Sequence, residues 1–94
     1  MKNEMKKIAD FYGVGNQALK LIEECAELIQ QVAKYRTEAF VNTNADNSLT
    51  SVAEEIADVE IMIWQIKYLF RIGKDVEEKK KEKVKRQLER MGVL

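Results

Sequence analysis

Histidine and proline are absent from this chain, and cysteine occurs once, as Cys25. Without histidine there are no His-based triads, no imidazole acid/base chemistry and no histidine zinc sites, and a lone cysteine excludes both an internal disulfide and a cysteine-rich zinc site. With no apolar signal core at the N-terminus either, a reducing, cytoplasmic setting is expected. The lack of proline and a total of only four glycines leave few helix breakers, so helices are favoured. Long apolar runs are missing too: Ile61-Met62-Ile63-Trp64 is interrupted by Gln65 and Lys67, too soon for a membrane span. Charge of neither sign is in excess, since sixteen Lys and Arg balance sixteen Asp and Glu, and bulk attraction to nucleic acid or membrane is not expected.

The charge that is there is sorted by segment. From Ser51 to Phe70 four acids (Glu54, Glu55, Asp58, Glu60) face one base, Lys67, whereas Arg71 to Arg90 holds nine bases and five acids. The 94 residues form one small domain, and a chain so short buries only about 60% of its unfolded surface, so a partner chain would help it. Residues 3 to 12 predict a short leader helix closed at Gly13-Val14-Gly15. A second helix is predicted from Asn16, as N-cap, to about Arg36, with Ala18, Leu21, Ile22, Cys25, Leu28, Ile29 and Val32 on its apolar side. The polar run Asn42-Thr43-Asn44-Ala45-Asp46-Asn47-Ser48 reads as a flexible loop. Ser51 with Glu54 matches a capping box opening a long helix that Gly73 closes, and Asp75 with Glu78 resembles another opening the last helix.

Two acidic clusters carry most of the chemistry: Glu23-Glu24-Cys25-Ala26-Glu27, and Glu55-Ile56-Ala57-Asp58 on the next helix. Carboxylates three or four residues apart share a helix face, and two such faces opposed can hold divalent cations. On the first helix, Glu23, Glu24 and Glu27 fall in a polar half with Lys20, Gln30, Gln31 and Lys34, which a solvated face explains equally well. The other helix is apolar nearly all round, with one arc of Val52, Ile56, Val59, Ile63, Ile66 and Phe70 and another of Ala57, Ile61, Trp64 and Tyr68. It should be buried on more than one side. Glu55 and Asp58 share a stripe with Met62 and Leu69, and no base stands at helical spacing from them. Carboxylates near apolar surface must be paired, protonated or metal-bound, and opposing acids call for Mg²⁺ or Mn²⁺ between them.

The pattern Glu-Glu-x-x-Glu, a spacer, then Glu-x-x-Asp, followed by a basic last helix, resembles the signature of the MazG-like, all-α nucleoside triphosphate pyrophosphohydrolases. The resemblance runs from about Asn16 to Arg86, and Phe11-Tyr12-Gly13 with Asn16-Gln17 is similar to the approach to the first motif in small stand-alone members. It implies a helical hairpin with a short N-terminal helix and a basic C-terminal helix, completed as a bundle in a homodimer or homotetramer. It implies Mg²⁺ on Glu24, Glu27, Glu55 and Asp58, with Glu23 orienting or deprotonating the attacking water and Glu24 also serving the catalysis. The reaction implied is cleavage of a nucleoside triphosphate, deoxy- or non-standard, between the α and β phosphates to a monophosphate and pyrophosphate. Lys79, Lys83, Arg86 and Arg90 form a basic stripe, and the resemblance sets Lys79, Lys83 and Arg86 against the phosphates; where the family often has Asn, this chain has Lys85, which leaves the register of this stretch open. A basic stripe near a helix C-terminus also offsets the dipole without any ligand. Asn16 and Gln17 offer amides to a base edge, and Trp64, Tyr68 or Phe11 a stacking surface, although aromatics at helical spacing are usually core. Two other classes stay open: a non-catalytic helical oligomeric interaction protein, and a phosphoribosyl-ATP pyrophosphatase-like enzyme.

Overall fold

The computed structural model describes residues 1–41 and 45–93, with the side chains of all of these except 38–41 and 45–48. It is all-α: α1 spans Lys2–Val41, α2 Ala45–Phe70 and α3 Gly73–Arg90, with no strand among the described residues. None of these helices is long and apolar enough to cross a membrane.

The break expected near Gly13 falls on that residue alone. Gly13 has φ 83° and ψ 171°, a conformation open essentially only to glycine, so the leader and the rest of α1 meet there at a kink. Asn16 does not act as an N-cap; its side-chain amide donates back to the Tyr12 carbonyl at 2.8 Å and ties off the end of the leader. The polar residues 45–48 belong to α2, so that helix opens ahead of Ser51 and the Ser51/Glu54 pair lies inside it. Short polar residues read as loop, yet they are also those tolerated in a helix's first turn. Residues 42–44 of the expected loop lie outside the described residues. At the far end α2 is closed by Arg71, not Gly73: Arg71 takes φ 58°, its N–H reaches the Tyr68 carbonyl at 3.3 Å, and the Ile72 N–H reaches Lys67 at 3.1 Å. This paired 5→2 and 6→1 bonding satisfies two orphan carbonyls, and a non-glycine at its left-handed position hid it from the sequence. Gly73 opens α3 behind Ile72, which gives no side-chain cap, so the expected Asp75/Glu78 box is not used either. Asp75 still contributes its charge to the first turn.

α1 and α2 form an antiparallel hairpin. The covered face of α1 runs Gln17, Leu21, Glu24, Leu28, Gln31 and Tyr35, and that of α2 runs Val52, Glu55, Val59, Met62, Ile66 and Leu69. Alternating steps of three and four make this a coiled-coil-like seam. Met5 and Ala9 of the leader are buried with Met62 and Ile66 of α2, and Gln17 Nε2 donates to Gln65 Oε1 at 2.6 Å inside the packing. The seam is rotated from the expected apolar side of α1. Leu19, Ile22, Ile29 and Val32 are left exposed while Glu24 is buried. On α2 one side is covered and Ile56, Ile63 and Phe70, a heptad-spaced stripe, stay open, so the described residues do not supply the expected second covered side.

α3 has no buried residue and is not packed along α1, while its packing on α2 is slight. The radius of gyration is 16.6 Å, against about 12 Å for a compact chain of this length. The accessible surface of 7455 Å² exceeds that of a compact monomer of this mass by roughly 1,900 Å².

Candidate metal centre

Midway along the seam, Glu24 of α1 meets Glu55 and Asp58 of α2. One carboxylate oxygen from each lies within 4.8 Å of the others. Glu24 is 6% exposed, Glu55 half-buried and Asp58 exposed, so the cluster opens from the seam towards solvent. The rotation of α1 that buries Glu24 is what creates it.

Glu24 is held by two opposite influences. Lys20, one turn earlier, places Nζ 3.1 Å from Glu24 Oε1 and 4.0 Å from Glu23 Oε2. That ammonium lowers the Glu24 pKa despite the opposing effect of burial, so Glu24 is the ionised member. Glu55 goes the other way, its pKa pushed up to about 7 by burial first, then by the charges of Glu27, Glu24 and Asp58 and the hydrogen bond with Glu24. Glu24 Oε2 and Glu55 Oε2 are both shielded from solvent with no hydrogen-bond partner of fixed polarity in the protein. Two buried acceptor oxygens in one cluster, beside a third carboxylate, suit either a shared proton or a hard cation with oxygen ligands. The three carboxylates could hold a metal ion.

No known family model, curated protein or solved structure matches this chain.

Three of the four expected metal ligands thus come together, and Glu27, exposed, adjoins them, a hydrogen-bonding neighbour of Glu24 whose charge is also felt at Glu55. Glu23 is also exposed and lines a groove of about 510 Å³ with Tyr12, Asn16, Gln17, Lys20 and Gln65. Both residues expected at a base are in that groove, yet Gln17 is engaged with the buried Gln65 and Asn16 with the Tyr12 carbonyl, leaving Asn16 Oδ1 as the group to offer. The aromatic ring beside them is Tyr12. Trp64 and Tyr68 line a different groove, and Phe11 is 81% exposed with its ring edge-on to Tyr12. Lys79, Lys83 and Arg86 lie on the solvated α3, where Lys79 pairs with Glu82 at 3.6 Å. Glu55 lies about 23 Å of helix before the end of α2 at Phe70, and α3 does not fold back onto α1, so one chain does not bring this trio to the carboxylates.

Sequence reasoning missed Lys20 and Gln65. Lys20 was readable from its spacing to Glu24, one turn on the same face. Gln65 is 1% exposed and had looked like a mere interruption of an apolar run. The heptad series Gln17, Glu24, Gln31 is the signal that was available: polar residues every seventh position on a covered face need partners across the seam.

Proposed function

We propose that this protein is a Mg²⁺-dependent nucleoside triphosphate pyrophosphohydrolase of the MazG-like type, acting as a homodimer or larger homo-oligomer. The observation that carries the reading is the Glu24–Glu55–Asp58 cluster, with a buried carboxylate oxygen on Glu24 and another on Glu55 that no donor satisfies. Mg²⁺ bound there supplies neutralisation of the triphosphate and a more acidic water. Glu24, Glu55 and Asp58 hold it, and Lys20 fixes Glu24 in its ionised form. Glu23, exposed at the rim of the adjoining groove, takes the proton of the attacking water, and Glu27 adds negative potential at the mouth. Asn16 offers its side-chain oxygen to the base while Tyr12 offers a ring. Attack on the α phosphorus then yields a nucleoside monophosphate and pyrophosphate.

The oligomer rests on the uncovered surface. An excess of roughly 1,900 Å² surpasses the approximately 800 Å² per partner that a stable interface needs, and the Ile22/Ile29 and Ile56/Ile63/Phe70 stripes supply apolar area. In such an assembly Lys79, Lys83 and Arg86 serve the phosphates of a neighbouring copy's site. The same stripes favour a second reading, a helical interaction protein without catalysis. A panel of deoxy- and ribonucleoside triphosphates with Mg²⁺, assayed for pyrophosphate with Glu55→Gln and Asp58→Asn alongside, separates the two. Metal-dependent release lost in both variants supports the enzyme; no release, together with a melting temperature indifferent to Mg²⁺, supports the interaction protein.

A further inference from the structure

A second groove, of about 530 Å³, lies where the leader helix, the end of α2 and the start of α3 converge, and no step of the proposed reaction uses it. Its lining holds three cations, Lys6, Lys67 and Arg71, two aromatic rings, Trp64 and Tyr68, and one acid, Glu77. Asp58 and Lys67 are separated by about 14 Å of helix, so the groove is separate from the carboxylate cluster.

Its cations, Lys6, Lys67 and Arg71, have no ion-pair partner among the described residues, and Glu77 is already paired with Lys80 at 3.2 Å. The rings form a fixed platform: Trp64 and Tyr68 stack with centroids 5.9 Å apart and planes 16° from parallel, and the Tyr68 hydroxyl donates to the Asp10 carboxylate, 2.9 and 2.8 Å from its two oxygens. Lys6 Nζ stands 5.9 Å from the Tyr68 ring centre, which leaves Trp64 as the ring to receive a ligand. Free cations beside an anchored aromatic surface match a ligand with a phosphate at one end and a flat heterocycle at the other.

We propose that this groove is a second, metal-independent binding site for one free mononucleotide, its phosphate on Lys67 and Arg71 and its base stacked on Trp64. The volume suits a single nucleotide. The chain carries its own reporter, because Trp64 is its one tryptophan.

The test titrates the full chain in EDTA with adenosine 5′-monophosphate, with adenosine and inorganic phosphate as its two halves, reading Trp64 emission on excitation at the red edge and binding heat by calorimetry. We expect saturable quenching by the nucleotide, weaker binding of both halves, and a Kd raised about tenfold or more in Lys67→Gln/Arg71→Asn, where Asn tolerates the left-handed backbone. Equal affinity for inorganic phosphate, an unchanged Kd in that variant, or neither quenching nor heat up to about 5 mM overturns the proposal. Loss of binding in Glu24→Gln/Glu55→Gln, with the fold intact by circular dichroism, also overturns it, by moving the ligand to the carboxylates. A single-stranded hexanucleotide binding tenfold tighter than the monophosphate overturns it as well. Because the titration excludes divalent cations, its failure leaves the pyrophosphohydrolase reading standing.

Discussion

Binding of Mg²⁺ should expel a proton, and the number expelled should follow the titration of one residue. Glu55, with a pKa near 7 in the metal-free protein, must be ionised before its oxygen can serve as a ligand, whereas Glu24 is kept charged by Lys20 and contributes nothing. A group with that pKa is about nine-tenths protonated at pH 6, half at pH 7 and one-tenth at pH 8, so Mg²⁺ should release about 0.9, 0.5 and 0.1 proton respectively. Apparent affinity should fall about tenfold per pH unit below 7 and level off above 8. Calorimetry in buffers of different ionisation enthalpy reads the release directly. Glu55→Gln should abolish the pH dependence and weaken binding, while Lys20→Gln should shift it by letting the two carboxyls compete for the proton. Binding with no proton release at pH 6 would refute the assignment of Glu55, and the absence of any Mg²⁺ heat would refute the centre.

Without metal, the raised pKa of Glu55 means that the folded state holds its proton more tightly than the unfolded chain, so this contribution to stability is complete below pH 4.5 and lost as pH rises towards 7. Thermal melts in EDTA should show the decline, and Glu55→Gln should remove it. Gln17→Ala should cost about 1–3 kcal/mol in urea unfolding by stranding the Gln65 side chain, whereas Gln17→Leu with Gln65→Leu should recover most of that loss. Gly13→Ala should cost about 1–3 kcal/mol, since its backbone conformation excludes a β-carbon; a melting temperature equal to wild type would show the kink to be dispensable. Ile22→Lys with Ile63→Lys should lower the mass seen by light scattering towards that of one chain, and an unchanged mass would rule out both stripes as contacts.

The all-α fold was legible because nothing in the sequence competes with helix: no proline, few glycines, and apolar residues at helical spacing. The kink at Gly13 and the stripe joining Glu55, Met62 and Leu69 were legible for the same local reasons. Glu24 was harder. A helical wheel finds the centre of the apolar residues, which for α1 lies between two faces, one covered by α2 and one exposed, and the covered face is the one carrying the acid. Gln65 and Gln17 stand 48 residues apart, and no periodicity within either helix announces their bond. The ends of α2 were misread because caps are local preferences, while a helix already packed along a seam can extend past a favourable cap and stop at an arginine.

α3 has no residue buried in its own chain and is not packed along α1. Its 18 residues are therefore held helical chiefly by their own hydrogen bonds, a marginal condition for an isolated helix in water. Amide protons along α3 should exchange with solvent far faster than those of Val59 to Ile66, and if neighbouring copies cover α3, its protection should rise with protein concentration while that of the hairpin does not. The most basic part of the molecule would then be ordered by crowding among its own kind, a segment whose shape reports how many copies of the protein are present.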